Sequence, residues 1–174
     1  MTYNPDIHHR HSIRLRDYDY RSAGAYFVTI CTFQRECLFG DVVDGEMRLN
    51  SLGEIAREEW LRTEIVRKNV SMDAFVIMPN HFHGILLMDD SCRGEAAPRP
   101  VMAGSIGAIL GQFKSIVTKR INALRDNPGC PVWQRNYYEH VVRNEGDLAN
   151  IRQYIANNPL KWDLDENNPV NVGK

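Results

Sequence analysis

Apolar positions along this chain fall into two patterns, short β-branched and aromatic runs and longer stretches of helical period. Tyr26-Phe27-Val28-Thr29-Ile30-Cys31-Thr32-Phe33 is of the first kind and predicts a central strand. Ala74-Phe75-Val76-Ile77 and Ile85-Leu86-Leu87-Met88 predict two more. Val42 to Leu49, with Asp44-Gly45 at its middle, predicts a short hairpin. Leu52, Ile55, Ala56, Trp60 and Ile65 recur at helical spacing, behind Ser51 as a cap and Glu54 completing a capping box. A second helix is predicted from Ser105 to Leu124, with Ile106, Ile109, Leu110, Phe113, Ile116, Val117 and Ile121 inward. Trp133 to Val142 reads as a strand or extended arm. A last helix, Asp147 to Asn158, is stopped by Pro159.

The remaining segments are polar. Residues 1–22 read as an N-terminal arm carrying His8, His9, His11 and the arginines Arg10, Arg14 and Arg16. Residues 89–101 have the composition of a flexible loop, and 163–174 form an acidic tail after a domain spanning 23–162. No internal repeat is visible.

Length changes this picture little: 174 residues fit one domain with a real core. Net charge is −1, so no global field drives the chain to a polyanion. Locally, Lys114, Lys119, Arg120, Arg125, Arg135 and Arg143 face only Asp126 and Glu139 between Ser105 and Arg143. That basic stretch fits a phosphate-binding surface or an ordinary solvated helix face. No stretch approaches the roughly 18 apolar residues of a membrane span, and the N-terminus lacks the order of a signal peptide. Cys31, Cys37, Cys92 and Cys130 show no C-x-x-C pairing, so reduced thiols and a cytoplasmic location are expected.

The chemistry concentrates at Met78-Pro79-Asn80-His81-Phe82-His83-Gly84. In a strand, residues i and i+2 share a face, so His81 and His83 project side by side while Phe82 turns to the packed face. Two adjacent imidazoles make most of a metal site or a phosphate grip. Pro79-Asn80 predicts a kink or an edge position there. On the last helix, Leu148, Ile151 and Ile155 define the buried stripe. Tyr154 falls roughly 90° from its centre, at the border, with Asn158 one turn on. A border tyrosine commonly packs with its hydroxyl in water, so spacing alone leaves its role open.

Three blocks in order, Met78-Pro79-Asn80-His81-Phe82-His83-Gly84-Ile85, Trp133-Gln134-Arg135-Asn136-Tyr137-Tyr138-Glu139-His140 and Tyr154-Ile155-Ala156-Asn157-Asn158-Pro159, resemble the single-tyrosine HUH transposases. Within that superfamily the chain is most similar to the REP-associated tyrosine transposases, from about residue 12 to 162. The resemblance implies an α+β fold: a central antiparallel sheet with helices packed on one or both sides, ferredoxin- or RRM-like. It implies that His81, His83 and Asn158 hold a divalent cation, Mg²⁺ or Mn²⁺, and that Tyr154 is the nucleophile. In other branches a glutamine stands where Asn158 does. No chemical role transfers to the Trp133–His140 block, where Glu139 and His140 are candidate structural partners of the site.

The implied reaction is cleavage and transfer of single-stranded DNA beside hairpins or REP-like sites, through a 5′-phosphotyrosine, by a monomer or a homodimer. Lys114, Lys119, Arg120, Arg135 and Arg143 are the candidate phosphate contacts, and Tyr137 and Tyr138 the candidate base stackers. Two other readings compete. One is a host-retained protein that grips hairpin nucleic acid without cleaving it. The other is an unrelated metal hydrolase that adds Asp73 or Asp89 to the histidines, against which stands the lack of further His or Asp ligands nearby.

Overall fold

The computed structural model describes residues 22–89 and 105–171. The arm expected at 1–22, nearly all of the loop expected at 89–101, Cys92 and the last three residues lie outside them.

Among the described residues, six strands and three α-helices follow one another: β1 (Gly24–Cys31), β2 (Gly40–Val43), β3 (Glu46–Leu49), α1 (Ser51–Val66), β4 (Val70–Ile77), β5 (His81–Met88), α2 (Ile106–Leu124), β6 (Tyr138–Val142) and α3 (Glu145–Asn157). Four strands pair antiparallel in the order β4-β5-β1-β6. With β2 and β3 set aside as a separate hairpin, this is the β-α-β-β-α-β order of a ferredoxin-like sheet, an α+β architecture.

The pleat sorts each strand's residues between two faces. Tyr26, Val28 and Ile30 of β1 and Phe82 and Leu86 of β5 meet Trp60 of α1 and Ile109, Phe113 and Val117 of α2 in the main core. Phe27 and Ile85 meet Leu148 and Ile155 of α3 on the opposite face. Helices therefore cover both sides, and α3 crosses the face that carries the two histidines.

Several local expectations hold. Asp44 and Gly45 both take positive φ, 54° and 77°, as the tight turn between β2 and β3 requires. The helix expected from Ser105 to Leu124 is α2, and Ser105 caps it by accepting from the Ala108 N–H. Others are corrected. Asn50, not Ser51, caps α1, accepting from the N–H groups of Leu52 and Gly53. Glu54 then stands four residues from the cap, one too far for a capping box. Ile65 is 80% exposed, and Glu59 and Thr63 take the buried positions along the stripe. Pro79-Asn80 does not kink an edge strand: it lies in the tight connection between β4 and β5, and β5 is an inner strand. After α3 the chain makes a 3-10 helix over Pro159–Leu164 and folds back, so that Asp165, Asn167 and Asn168 pack on the body. Among the described residues no helix is long and apolar enough to cross a membrane.

Candidate active site

The site begins with one buried ring. Phe82 packs its ring, tilted, against Trp60, 4.4 Å away between centroids, and Phe113, 5.7 Å away. That anchorage turns His81 and His83 to the other face, where their rings lie 4.6 Å apart. Gly84 follows because the same aromatic packing leaves no room for a side chain. A Cβ there would stand 2.7 Å from both Phe82 Cζ and Trp60 Cζ2.

Each imidazole is held through Nδ1. In the sheet register Thr29 lies opposite His83, and its hydroxyl is 2.8 Å from His83 Nδ1. Asn80 Oδ1 is 3.0 Å from His81 Nδ1. The orientation of the Asn80 amide follows from its other contacts: Nδ2 donates to two carbonyls, Arg35 at 3.0 Å and Asn167 at 2.6 Å. The atom facing His81 is therefore an oxygen, an acceptor only. His81 must carry its proton on Nδ1, which leaves Nε2 a bare lone pair. Anchoring one ring nitrogen to free the other is how metal-binding histidines are oriented.

Electrostatics keep both rings neutral at pH 7. Burial pushes the His81 pKa down to about 4, against the opposing pull of Asp165, and pushes His83 well below its usual range. Neutral imidazole is the ligand form.

Helix α3 brings the remaining groups. Asn144 caps it, accepting from the Asp147 N–H. Asp147 in turn accepts from His140 Nε2 at 2.9 Å and from the Arg143 N–H, which pins the helix start to β6. Leu148 and Ile155 bury against the sheet, and Tyr154 is set beside them, 47% exposed. Its hydroxyl lies 3.3 Å from His83 Nε2, and its ring stands edge-on to Phe27. Asn158, at the helix end, is buried. Its side chain acts on the protonation of both His81 and Tyr154. Tyr154's pKa is raised, by burial first and then by Asp165.

Nε2 of His81 and Oδ1 of Asn158 are buried and neither meets a hydrogen-bond partner of good geometry, although the Asn158 amide stands near enough to His81 to raise its pKa. Buried acceptors left bare cost free energy unless something positive meets them. Two imidazole nitrogens and an amide oxygen suit a borderline dication, so these residues fit one. Among the described residues, no three His, Cys, Asp or Glu side chains form a metal cluster by themselves. The carboxylates of the hydrolase reading are elsewhere. Asp73 is taken up by Arg152 of α3. Asp89 lies six residues beyond His83, about 20 Å along the strand direction.

Asp165 was not among the sequence candidates, yet its Oδ2 is 3.9 Å from His81 Nε2. Of the basic candidates, Lys114 is half-buried and donates to the carbonyls of Gln134 at 2.6 Å and Arg135 at 3.1 Å. Arg120 pairs with Glu58 and Glu59. Lys119, Arg135 and Arg143 are exposed. Lys119 and Arg135 line a groove of about 760 Å³ between α2 and the segment 128–135. Tyr137 packs on the main core, whereas Tyr138 is 46% exposed beside Phe27.

Comparison with known proteins places the fold. No family model matches the chain. A protein of Haemophilus influenzae described as uncharacterized is 41% identical over 174 residues, 94% of this chain and 96% of its own length. A second protein of that organism, named "Putative REP-associated tyrosine transposase", is 28% identical over 92 residues, 51% of this chain and 48% of its own. The solved structure of a REP-associated tyrosine transposase bound to a REP hairpin superposes with a TM-score of 0.60 at 21% identity, over 86% of this chain and 74% of that one. The resemblance carried by the three sequence blocks thus extends to the fold.

Proposed function

We propose that this chain, which belongs to one family with the 41% identical Haemophilus influenzae protein, is a metal-dependent single-stranded DNA endonuclease and strand transferase. The observation that carries this reading is the placement of the Tyr154 hydroxyl 3.3 Å from Nε2 of His83, at the mouth of a site with two bare buried acceptors.

His81, His83 and Asn158 would hold the cation, Mn²⁺ or Mg²⁺. When bound, it polarises the scissile phosphate and offsets charge in the transition state. Thr29 and Asn80 keep both imidazoles aimed, and burial keeps them unprotonated. Tyr154 attacks phosphorus with its hydroxyl oxygen. A P–O bond forms to the phenol, the bond to the departing 3′ oxygen breaks, and the products are a 5′-phosphotyrosine and a free 3′-OH. A phenol is a weak nucleophile at neutral pH, and burial raises the Tyr154 pKa further, so activation would come from the loaded site. The phosphotyrosine preserves ester energy, so a second 3′-OH reverses the step and joins new ends.

The substrate class follows from access. A stacked duplex resists bending into a site set between α3 and the sheet, whereas a single strand does not. The likeness to a hairpin-bound relative supports hairpin-flanked or REP-like DNA. Lys119, Arg135 and Arg143 are the exposed cations for its phosphates, and Tyr138 the exposed ring for a base.

A labelled single-stranded hairpin DNA incubated with the protein and Mn²⁺ tests this on a denaturing gel. A covalent band should appear, and vanish in Tyr154→Phe. A shift confined to native gels would instead identify a non-cleaving hairpin-binding protein, and product without adduct a hydrolase.

A further inference from the structure

We propose that Asp165 is a further ligand of the cation held by His81, His83 and Asn158, delivered by a C-terminal segment that folds back over the site. This rests on the reading above and adds to it a residue from outside the three sequence blocks.

The segment is docked by specific contacts. Asp165 Oδ1 accepts from the N–H of Asn167 at 2.6 Å and from its Nδ2 at 2.9 Å. Asn167 is buried; its carbonyl accepts from Asn80 Nδ2 at 2.6 Å, and Arg35 donates to its side-chain oxygen. Asn168 Nδ2 donates to the Trp162 carbonyl at 3.0 Å. Asn80 therefore does two jobs: one end of its amide orients His81, and the other holds the returning chain.

These contacts engage one oxygen of Asp165. The other, Oδ2, faces Nε2 of His81 at 3.9 Å, from a side chain only 9% exposed. Because the Asn80 contacts place the His81 proton on Nδ1, Nε2 has none to offer. An acceptor faces an acceptor across a buried gap, and a shared cation reconciles them. The separation agrees: with metal–ligand bonds of about 2.0–2.2 Å, two donors on one ion stand about 3–4 Å apart. The charge agrees as well. Two imidazoles and an amide bring none, while hard dications favour a carboxylate. Among the described residues Asp165 and the two imidazoles do not group as a three-ligand cluster by themselves, and the proposed set includes the Asn158 amide as well. The turn alone needs only an acceptor at Oδ1, which asparagine would supply equally.

Mn²⁺ binding to the full chain without DNA, titrated by electron paramagnetic resonance, tests the proposal. Asp165→Asn keeps the acceptor for Asn167 and removes the charge; it should raise the Mn²⁺ Kd by about tenfold or more. Asp165→Ala is the second variant, and either one that retains the wild-type circular dichroism melt decides. Glu166→Gln, one residue on, should change the Kd by less than about twofold, which separates ligation from general charge. An unchanged Kd in folded Asp165 variants, or an equal loss in Glu166→Gln, overturns the proposal while leaving the histidine site standing. His81→Ala should abolish binding; if it does not, or if wild type binds no Mn²⁺, the underlying reading fails with it.

Discussion

Arg152 of α3 grips the carboxylate of Asp73 on β4 with both Nε and Nη2, tying the helix that bears Tyr154 to the sheet that bears the histidines. A β-bulge between Met72 and Phe75 is where Asp73 sits, and bulges re-aim side chains in this way. Together with Leu148 and Ile155 on the sheet, the clamp places nucleophile and metal ligands of the proposed site in one chain.

That placement gives the first prediction. Mixing Tyr154→Phe with His83→Ala protein should restore no covalent adduct, because neither chain can lend its partner the missing group. Recovery of adduct in the mixture would show helix exchange between subunits. Arg152→Ala, which frees the helix without touching the site, should slow adduct formation on the order of tenfold, with the thermal midpoint nearly unmoved.

Burial of His81 predicts an acid-sensitive fold. Its pKa lies near 4 in the folded chain against an ordinary value of about 6.5. Between these values the unfolded chain binds the proton and the folded chain does not, so stability rises with pH across that window. It is fully present above about pH 6.5 and is lost as pH falls toward 4, by up to about 3 kcal/mol from this group. His83 shifts in the same direction. Urea melts at pH 7.5 and 4.5 measure the loss, and His81→Gln should flatten it.

Asn80 is fully buried and satisfies three groups at once: the His81 N–H and the carbonyls of Arg35 and Asn167. Asn80→Ala strands all of them and should cost about 2–4 kcal/mol by urea denaturation. Mn²⁺ affinity should fall as well, since His81 loses its orientation. A stability loss below about 0.5 kcal/mol would contradict the hub role.

Gly84→Ala probes the packing behind the histidines. A methyl group 2.7 Å from both Phe82 and Trp60 forces those rings apart. The expected cost is about 1–3 kcal/mol, from overpacking. Thermal melts read the cost, and loss of Mn²⁺ binding reads how far the shift travels to His81 and His83.

Much of this arrangement was legible in the chain, for physical reasons. A two-residue period puts His81 and His83 on one face wherever a strand forms, and the apolar stripe of α3 sets Tyr154 at its border. What escaped depends on tertiary contacts. Asn50 rather than Ser51 caps α1 because the backbone turns one residue earlier, a choice of φ and ψ that either residue type allows. Asp165 read as part of an acidic tail because its partners, Asn80 and Arg35 through Asn167, lie over eighty residues away. Tyr137 and Tyr138 are identical neighbours in sequence, and only tertiary packing sets Tyr137 partly buried against the main core and leaves Tyr138 exposed.

The same contrast divides the basic residues, and it yields the last prediction. Lys114 and Arg143 look alike as charges, but Lys114 spends its ammonium on backbone carbonyls of Gln134 and Arg135 while Arg143 extends into solvent. Burial lowers the Lys114 pKa, the mark of a lysine serving the fold. Lys114→Met should therefore cost about 1–2 kcal/mol of stability by leaving those carbonyls short of a donor. Arg143→Ala should leave the melt alone. On single-stranded hairpin DNA it should weaken binding and reduce the slope of log affinity against log salt by about 0.7, the signature of one lost phosphate contact. Equal salt slopes for wild type and Arg143→Ala would remove Arg143 from the phosphate track and leave Lys119 and Arg135, beside the α2 groove, to carry it.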